Sequence, residues 1–190
     1  MKFIRKKING VYEIELEPIE DNRGFFSRVF CRDQMKENNI NDNVLQINNS
    51  YNKYAGTVRG MHYQTDEYAE TKILRCISGK VLNVIVDLRY DSHTFLQTEQ
   101  ILLDSQKRNM SYVPRGFANG IQTIEDNSEL IYFSSAPYNK DFEKGIRWND
   151  PCINIKWPLE IKDISEKDLN HPDFNKSIDK HFEFLNQNLE

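Results

Sequence analysis

Cysteine is scarce in this 190-residue sequence, which has only Cys31, Cys76 and Cys152, far apart and without a Cys-x-x-Cys pair. An odd number of isolated thiols does not form a disulfide framework and indicates a reducing compartment. Long hydrophobic runs are also lacking, since no segment approaches the roughly 18 apolar residues of a membrane span. The basic N-terminus, MKFIRKKINGVYEIEL, lacks the apolar stretch of a signal peptide. These absences predict a soluble, cytoplasmic protein with no membrane partner.

Blocks of basic residues are absent as well. Lysine and arginine number 25 against 29 acidic residues, and the net charge is −4. Without a basic patch, nucleic acid is not a predicted partner. The hydrophobic fraction of 38%, including 12% aromatic residues, is sufficient for a core. A chain of this length buries about 70% of its unfolded surface. We therefore expect one domain over residues 1–190 that folds without a structural metal or disulfide.

Short apolar runs with β character recur between turn residues along most of the chain. They occupy residues 11–16, 24–30, 43–51, 56–64, 72–78, 81–88, 98–103, 109–113, 119–124 and 129–135. The sequence Ser78-Gly79-Lys80, between two of these runs, is typical of a tight hairpin. About ten strands at this spacing, without a β-α-β rhythm, predict an all-β antiparallel sandwich of the jelly-roll type.

Helical character is confined to residues 31–39 and to parts of the C-terminal segment. We expect a core of about residues 10–160 and a small helical or irregular C-terminal appendage over residues 161–190. The appendage is polar from Asp163 onward, so it either docks on the body or frays.

One of only four histidines, His62, lies in the predicted strand GTVRGMHYQ, residues 56–64. It can be a packing residue, a metal ligand or a catalytic base. Strand alternation places Gly60 and His62 on one face and Arg59 on the other. A glycine two positions before an inward histidine leaves space beside the imidazole, which suits a ligand better than a packed core. Arg59 can reach the same pocket only through a bulge or a strand end.

The number of suitable ligands argues against a metal site. Cupin-type sites take two histidines, as His-x-His, and a carboxylate from one strand and another histidine from a later strand, whereas this strand offers only His62. In the later segment PRGFANG, Asn119 stands where a PxGxxH pattern would supply a histidine. His93 lies in a turn-like segment and His171 in the tail. One imidazole and one amide do not make a zinc or iron site, so no metal is predicted.

Several longer motifs together resemble one known family. The segments DNRGFFSRVF, NNSYNKYAGTVRGMHYQ, KILRCISGKVLNVIVDLRYDSHTF, VPRGFANGIQTI, ELIYFSSAPY and GIRWNDPCINIKWP follow the order and spacing of the dTDP-4-dehydrorhamnose 3,5-epimerase family, over about residues 10–170. The resemblance implies a cupin-like jelly roll, usually a homodimer, acting on nucleotide-linked 4-keto-6-deoxy sugars without metal or organic cofactor. It also implies a place in deoxysugar biosynthesis for surface polysaccharide, such as a lipopolysaccharide O antigen.

The implied reaction assigns roles to four residues. The 4-keto group acidifies the C–H bonds at C3 and C5, so a base forms an enolate and an acid returns a proton from the opposite face. By resemblance, His62 is the base, Asp168 orients it, Lys72 steadies the enolate and Tyr132 is the acid. Considered singly, Asp168 would be a helix cap, Lys72 a solvated strand-edge lysine and Tyr132 an amphipathic-strand aromatic. Their joint match to one set of motifs favours the catalytic interpretation.

The resemblance also implies residues that bind the nucleotide. The positions matching contacts to the diphosphate or nucleoside are Arg23, Gln46, Asn48, Arg59 and Tyr138. Arginine suits phosphate because its guanidinium donates several hydrogen bonds, and a tyrosine can stack on a base. Arg23 and Phe26 lie in an N-terminal segment that, in the family, reaches into the site of the partner subunit. A homodimer would then complete each pocket.

Two departures from the family pattern concern specificity. The family's GFAHG is GFANG here, so Asn119, which can donate to a keto oxygen but cannot carry a charge, replaces a histidine. We expect weaker enolate stabilisation, with epimerisation at C3 alone as the favoured outcome. Arg28 replaces an acidic residue near the nucleoside, which should change the preferred base. CDP and GDP sugars are therefore alternatives to a dTDP sugar as the substrate.

Two other functions remain compatible with the sequence. One is a 3,4-ketoisomerase on a similar jelly roll, which uses comparable proton transfers. The other is a sugar-nucleotide-binding cupin without catalysis, with which the replacement of a histidine by Asn119 is compatible. The joint presence of four residues speaks against simple binding, because binding needs neither a base nor an opposed acid; they are His62, Lys72, Tyr132 and Asp168.

Overall fold

The computed structural model describes residues 1–177 and 179–183, and nearly all of its regular structure is β. The strands are β1 (Lys2–Arg5), β2 (Tyr12–Glu15), β3 (Ile19–Asp21), β4 (Gly24–Phe26), β5 (Gln46–Asn52), β6 (Thr57–Gln64), β7 (Lys72–Ser78), β8 (Lys80–Asp87), β9 (Thr98–Asp104), β10 (Met110–Val113), β11 (Phe117–Thr123), β12 (Ser128–Ser134), β13 (Glu143–Gly145) and β14 (Asp163–Ile164). The helices are α1 (Arg32–Glu37) and α2 (Glu166–Leu169), with a 3₁₀ turn at Asp66–Tyr68.

The strands form two sheets and one separate hairpin. The first sheet has the order β1-β2-β10-β7-β12-β5, and the second has the order β13-β6-β11-β8-β9. Neighbouring strands in both orders are antiparallel, and β14 adds to β6 as a short parallel pair. The hairpin consists of β3 and β4. The predicted antiparallel β-sandwich is confirmed.

The core lies between the sheets, on the outer face of the second sheet, and between the first sheet and α1. Leu74 and Leu130 from the first sheet pack with Ile85 and Phe117 from the second in one buried cluster. On the other face of β8, Leu82, Val84 and Val86 belong to a second buried cluster. Because β8 is buried on both faces, its sequence is almost continuously apolar instead of alternating.

The predicted hairpin at Ser78-Gly79-Lys80 is wrong. The turn is compact, and Gly79 takes a left-handed conformation with φ +72°. However, β7 pairs with β10 and β12, whereas β8 pairs with β9 and β11, so the turn carries the chain from one sheet to the other. Both strands are central in their sheets, and the local turn residues do not specify which partners a buried strand takes.

Other differences concern short or exposed elements. The run over residues 24–30 is a strand only at β4, which forms an exposed hairpin with β3. Strands β1, β3, β13 and β14 lie outside the predicted runs because two to four residues carry too little alternation to be recognised. The helical character of residues 31–39 is realised as α1.

The polar C-terminal segment docks on the body over its described residues. Strand β14 runs alongside β6, and α2 follows at once. Phe174 is buried in the second cluster, and Phe182 bridges to Arg89. Residue 178 and residues 184–190 of the predicted appendage lie outside the described residues. None of the described helices is long and apolar enough to cross a membrane.

Strands β6 and β11 approach closely at Gly60, which we expect to be essential for stability. Gly60 has φ +115°, and a Cβ there would lie 2.7 Å from Gly120 Cα. We predict that Gly60→Ala lowers the free energy of unfolding by at least about 2 kcal/mol, because backbone strain and a backbone clash add. Urea denaturation measures this loss.

Gly24→Ala is the matched control for that substitution. Gly24 also has a positive φ, +127°, but apart from its chain neighbours none of the described residues places a heavy atom within 4 Å of the position that a Cβ would take there. An equal loss of stability in both variants would show that the contact between β6 and β11 is unimportant.

Candidate active site

A cavity of about 410 Å³ lies between the two sheets, beside the segment that contains α2. Six residues that the sequence singled out line it, namely Arg59, His62, Lys72, Asn119, Tyr132 and Asp168. His62 and Asn119 come from β6 and β11 of the second sheet, whereas Lys72 and Tyr132 come from β7 and β12 of the first. The volume is in the usual range for small-molecule sites, roughly 300–1,000 Å³.

A bulge in β6 brings Arg59 and His62 into the same cavity. His62 pairs with Asn119 and Arg59 with Ile121, so three steps along β6 face two steps along β11. An extra residue of this kind changes the side to which the following side chains point. The sequence required such a bulge for Arg59, and the structure contains it.

Gly60 does not leave open space for a ligand, as the sequence suggested. The position of its absent side chain is occupied by the backbone of Asn119 and Gly120. Its backbone N–H, moreover, donates to Asp168 Oδ2 at 3.0 Å. Gly60 therefore allows β6 and β11 to approach closely, and its N–H binds the Asp168 carboxylate.

His62 and Asp168 form a hydrogen-bonded pair at the cavity wall. His62 Nε2 lies 2.7 Å from Asp168 Oδ1, and 106 positions separate the two residues. Asp168 is not the cap of α2, because Ser165 is the N-cap and accepts from the Asp168 backbone N–H. Burial opposes ionisation of the Asp168 carboxyl, but His62 and the Gly60 N–H outweigh it and lower its pKa. Asp168 is thus a carboxylate at neutral pH.

We predict a pH-dependent stability difference between this protein and its Asp168→Asn variant. A carboxyl with a lowered pKa stabilises the fold above the ordinary value of 3.8 and loses this effect as the pH falls through its folded value. The variant should be about 1.5–3 kcal/mol less stable at pH 7, as for hydrogen bonds to a charged group. Urea denaturation from pH 7 to pH 3 should show this gap closing on the acid side, and a pH-independent gap would contradict the assignment.

Lys72 is neither at a sheet edge nor solvated. Strand β7 lies between β10 and β12, and the Lys72 side chain is only 16% exposed. Its Nζ lies 3.0 Å from Glu70 Oε1, a partner that the sequence did not indicate. The ammonium group is thus held at the cavity by an ion pair with a residue of the loop that precedes β7.

Tyr132 faces the cavity from the opposite sheet to His62. It packs against the core between the sheets and pairs in the β ladder with Leu74 and Asn48. Burial raises the pKa of its phenol, the negative charge of Glu70 raises it further, and Arg59 partly opposes the shift. Tyr132 is therefore protonated at neutral pH and can donate.

Asn119 is held by neighbouring groups of β8 in one orientation. Its Nδ2 donates to Asn83 Oδ1 and to the Val84 carbonyl at 3.3 Å. Asn83 in turn donates to Ser111 Oγ at 2.7 Å, across the interior of the sandwich. Both amide hydrogens of Asn119 are therefore engaged, and the Oδ1 acceptor remains. The expected donation from Asn119 to a keto oxygen is not available in this arrangement.

Three predicted nucleotide-binding residues lie near the cavity on one edge of the first sheet. Gln46 and Asn48 lie on the same face of β5 as Ser50, which lines the cavity. Gln46 Nε2 donates to Asn48 Oδ1 at 2.9 Å. The Tyr138 backbone N–H donates to Gln46 Oε1 at 3.2 Å, and the Tyr138 side chain is largely exposed. At the cavity itself, Arg59 is oriented by a hydrogen bond of 2.7 Å to Asn52 Oδ1.

Three other predicted residues do not reach this cavity. Arg23, Phe26 and Arg28 belong to or follow the exposed β3–β4 hairpin. Arg23 pairs with Asp21, at 2.6 Å, on that hairpin. None of the three is among the described residues that line the cavity.

Three residues join the site without having been predicted. Lys167 lines the cavity and donates to Glu143 Oε2 at 2.6 Å, and the same oxygen accepts from the Tyr138 hydroxyl. His171 packs edge-on against His62, with ring centroids 5.6 Å apart. Lys167 lies one position before Asp168 in the sequence and His171 three positions after it. The predicted role of Asp168 could therefore have indicated both residues. No sequence signal marked Glu143.

A jelly roll whose interior holds a histidine–carboxylate pair facing a protonated phenol is suited to moving protons at carbon, as an isomerase does. The sequence profile of the dTDP-4-dehydrorhamnose 3,5-epimerase family matches residues 5–176. The chain belongs to this family and is a sugar-nucleotide epimerase of deoxysugar biosynthesis.

Individual relatives agree with this assignment. A dTDP-4-dehydrorhamnose 3,5-epimerase of Shigella flexneri is 34% identical over 92% of this chain and 96% of its own. The crystal structure of the enzyme of that name from Elizabethkingia anophelis superposes with a TM-score of 0.87 at 33% identity, over 92% of this chain and 96% of the other. A 3'-monoepimerase from Streptomyces bikiniensis, in complex with dTDP-quinovose, has a TM-score of 0.81 at 27% identity, over 88% and 85%. These likenesses confirm the cupin-like sandwich.

Proposed function

We propose that His62 and Tyr132 epimerise a nucleotide-linked 4-keto-6-deoxy sugar by passing protons across its ring. The observation that carries this proposal is that the two side chains reach one cavity from opposite sheets. A sugar ring lying between the sheets presents one face to each residue. Removal of a proton from one face and its return from the other inverts the carbon between them.

His62 is arranged to act as the base. Its Nε2–H donates to the Asp168 carboxylate, which leaves the lone pair of Nδ1 as the acceptor. Nδ1 takes the proton from C3, and the electron pair of the C–H bond moves to the keto oxygen to give an enolate. The carboxylate then stabilises the imidazolium that forms, as in other histidine–carboxylate pairs.

Lys72 and Tyr132 complete the reaction from the other sheet. The Lys72 ammonium group offsets the negative charge that develops on the enolate oxygen. The Tyr132 hydroxyl, kept protonated by its raised pKa, gives its proton to C3 and the enolate returns to the ketone. The phenolate and imidazolium then regain their starting protonation states through solvent.

The orientation of Asn119 supports epimerisation at C3 alone. Because its amide hydrogens are engaged by β8, Asn119 gives no N–H to the keto oxygen and leaves Lys72 as the main stabiliser of the enolate. Its Oδ1 instead accepts from a sugar hydroxyl. A second enolisation at C5 requires the sugar ring to take a new position over the same base. A site that stabilises the enolate less strongly therefore favours release of the product after epimerisation at C3. One structural relative is named a 3'-monoepimerase, which supports this proposal.

The nucleotide is held by Arg59 and the β5 edge. Arg59 is oriented at the cavity by Asn52 and suits the diphosphate, while Gln46, Asn48 and Tyr138 continue toward the nucleoside. Arg28 offers a donor where the family often has an acceptor, so the preferred base is expected to differ from that of the family. We therefore include CDP and GDP sugars with dTDP sugars as substrates.

A homodimer would bring the N-terminal hairpin to the partner's site. Ile19 and Phe26 on the hairpin are 72% and 67% exposed, and Leu45 and Ile47 at the β5 edge are 65% and 61% exposed. A second copy of the chain would cover this apolar surface. Arg23, Phe26 and Arg28 then enter the cavity of the other subunit.

Mixed dimers test this arrangement. A His62→Ala subunit and an Arg23→Ala subunit, each weakly active alone, should regain activity when they are mixed and refolded together. One of the two sites then combines an intact His62 with an intact hairpin from its partner. A monomer by sedimentation equilibrium, or no recovery on mixing, would contradict a shared site.

The reaction itself is tested by solvent isotope incorporation. The protein is incubated in D₂O with 4-keto-6-deoxyhexoses linked to dTDP, CDP or GDP, and C3 and C5 are followed by NMR. We expect deuterium at C3 with inversion. Deuterium at both carbons would indicate a double epimerase, migration of the ketone to C3 a ketoisomerase, and no exchange with any nucleotide a binding protein. Inversion at C3 would yield a deoxysugar nucleotide of the kind used in surface-polysaccharide biosynthesis.

A further inference from the structure

Three side chains with metal-binding atoms converge at the wall of the cavity. The donor atoms of His62, Asp168 and His171 all lie within 4.8 Å of one another. His62 comes from β6, whereas Asp168 and His171 come from α2 and the segment after it. The docking of the C-terminal segment on β6 therefore brings together two imidazoles and one carboxylate.

His171 is fixed beside this group by the packing of its ring. The ring occupies the place where a side chain at position 145 would lie, so only glycine at that position leaves room for it. His171 Nε2 lies 3.5 Å from Asp168 Oδ1, within ion-pair distance but not aligned for a hydrogen bond. This nitrogen is buried and has no hydrogen-bond partner among the described residues. A buried, unpartnered imidazole nitrogen next to a carboxylate is a candidate ligand atom.

The surroundings of His171 disfavour a charged imidazole. Burial lowers the pKa of this ring, and the neighbouring His62 lowers it further. The nearby positive charge of Lys167 is countered by its ion pair with Glu143.

We propose that His62, Asp168 and His171 form an inhibitory binding site for Zn²⁺. In a tetrahedral zinc site with bonds of about 2.0–2.2 Å, neighbouring ligand atoms lie about 3.3–3.5 Å apart. The distance from His171 to Asp168 already has this value, at 3.5 Å. The distance from His62 to Asp168, 2.7 Å, has to open by about 0.6–0.8 Å to admit the metal. Asp168 Oδ2 meanwhile keeps its hydrogen bond from Gly60.

Zinc at this site removes the base of the proposed reaction. A neutral imidazole that coordinates through Nε2 carries its proton on Nδ1. Nδ1 of His62 then cannot accept a proton from the sugar, so the metal competes with catalysis instead of assisting it. This consequence rests on the proposed function, whereas binding of zinc does not.

Zinc binding is measured directly by competition with a chromophoric zinc chelator. The protein carries Cys152→Ser, because Cys152 is an exposed thiol that binds zinc by itself. We expect one equivalent of Zn²⁺ to bind, with affinity at least about 10-fold lower in His171→Gln. His93→Gln, which changes an exposed histidine that belongs neither to the cavity lining nor to the ligand cluster, is the matched control and should bind like the parent. No binding, or equal binding by the parent and His171→Gln, would overturn the proposal.

Cobalt provides a second measurement that needs no substitution in the site. Co²⁺ bound to the parent protein should give the intense visible absorption of a tetrahedral site, and added Zn²⁺ should abolish it. A weak octahedral spectrum would contradict the proposed ligands. In epimerase assays the same zinc titration should inhibit the parent more strongly than His171→Gln. Zinc binding without any epimerase activity would support the metal site and reject the proposed function, so the two failures are distinguishable.

Discussion

Replacement of His62 by alanine is expected to lower the turnover number for epimerisation by about 10²–10⁴-fold, the usual contribution of a positioned acid or base. The imidazole is the group that removes the proton from C3, and its partner Asp168 cannot replace it because this carboxylate is directed at β6 by Gly60. Exchange of solvent deuterium into C3 should fall by the same factor. The measurement is the initial rate of exchange and of product formation by NMR.

Two controls separate loss of chemistry from loss of structure. Removal of His62 leaves the buried Asp168 carboxylate without its partner, so thermal denaturation must show that the variant is folded at the assay temperature. Calorimetry should show that it still binds the nucleotide diphosphate. His93→Ala should retain turnover. A folded, nucleotide-binding His62→Ala protein with near-normal epimerisation would remove the proposed mechanism.

Tyr132→Phe is expected to separate proton exchange from inversion. The substitution deletes one oxygen from a side chain that otherwise keeps its packing against the core. The base can still form the enolate, but only the protonated His62 remains to return a proton, and it does so on the face from which the proton came. Epimerisation should fall by about 10²–10⁴-fold. Deuterium should continue to enter C3 of the unchanged substrate.

The comparison of the two rates in one NMR time course tests this prediction. Tyr54→Phe, at an exposed tyrosine, serves as the matched control and should epimerise normally. If Tyr132→Phe loses exchange and inversion equally, the phenol acts before the enolate and is not the acid. If it epimerises normally, another group supplies the proton.

Much of the fold follows from patterns that are local in sequence. The spacing of the apolar runs predicted the antiparallel sandwich, and the helix over residues 31–39 was found as α1. The partners of β7 and β8 could not be predicted, because both strands are central in their sheets and the turn between them is compatible with either a hairpin or a change of sheet. Strand β3 of the exposed hairpin left no alternating pattern to recognise, whereas β4 lies within the predicted run over residues 24–30.

In the candidate site, too, the features that depend on local sequence were predictable and those that depend on long-range contacts were not. Local alternation indicated that His62 faces inward, and the need for a bulge at Arg59 followed from that pattern. The partnership with Asp168 spans 106 positions and depends on the pairing of β14 with β6, so from its own neighbours Asp168 resembled a helix cap. Only the family resemblance indicated it.

Two side chains acquired different roles once their surroundings were known. Gly60 resembled a space for a ligand, but the backbone of β11 fills that space. Asn119 resembled a donor to the keto oxygen, but β8 engages its amide hydrogens. In both cases the deciding contact comes from a neighbouring strand, which a motif within one segment does not reveal.

The most direct test of the central claim is a crystal structure of this protein with a 4-keto-6-deoxy sugar nucleotide or its product bound. We predict that the sugar lies between the two sheets, with C3 about 3–3.5 Å from His62 Nδ1 on one face and from the Tyr132 hydroxyl oxygen on the other. A sugar that presents the same face to both side chains, or that lies outside the cavity, would contradict the account.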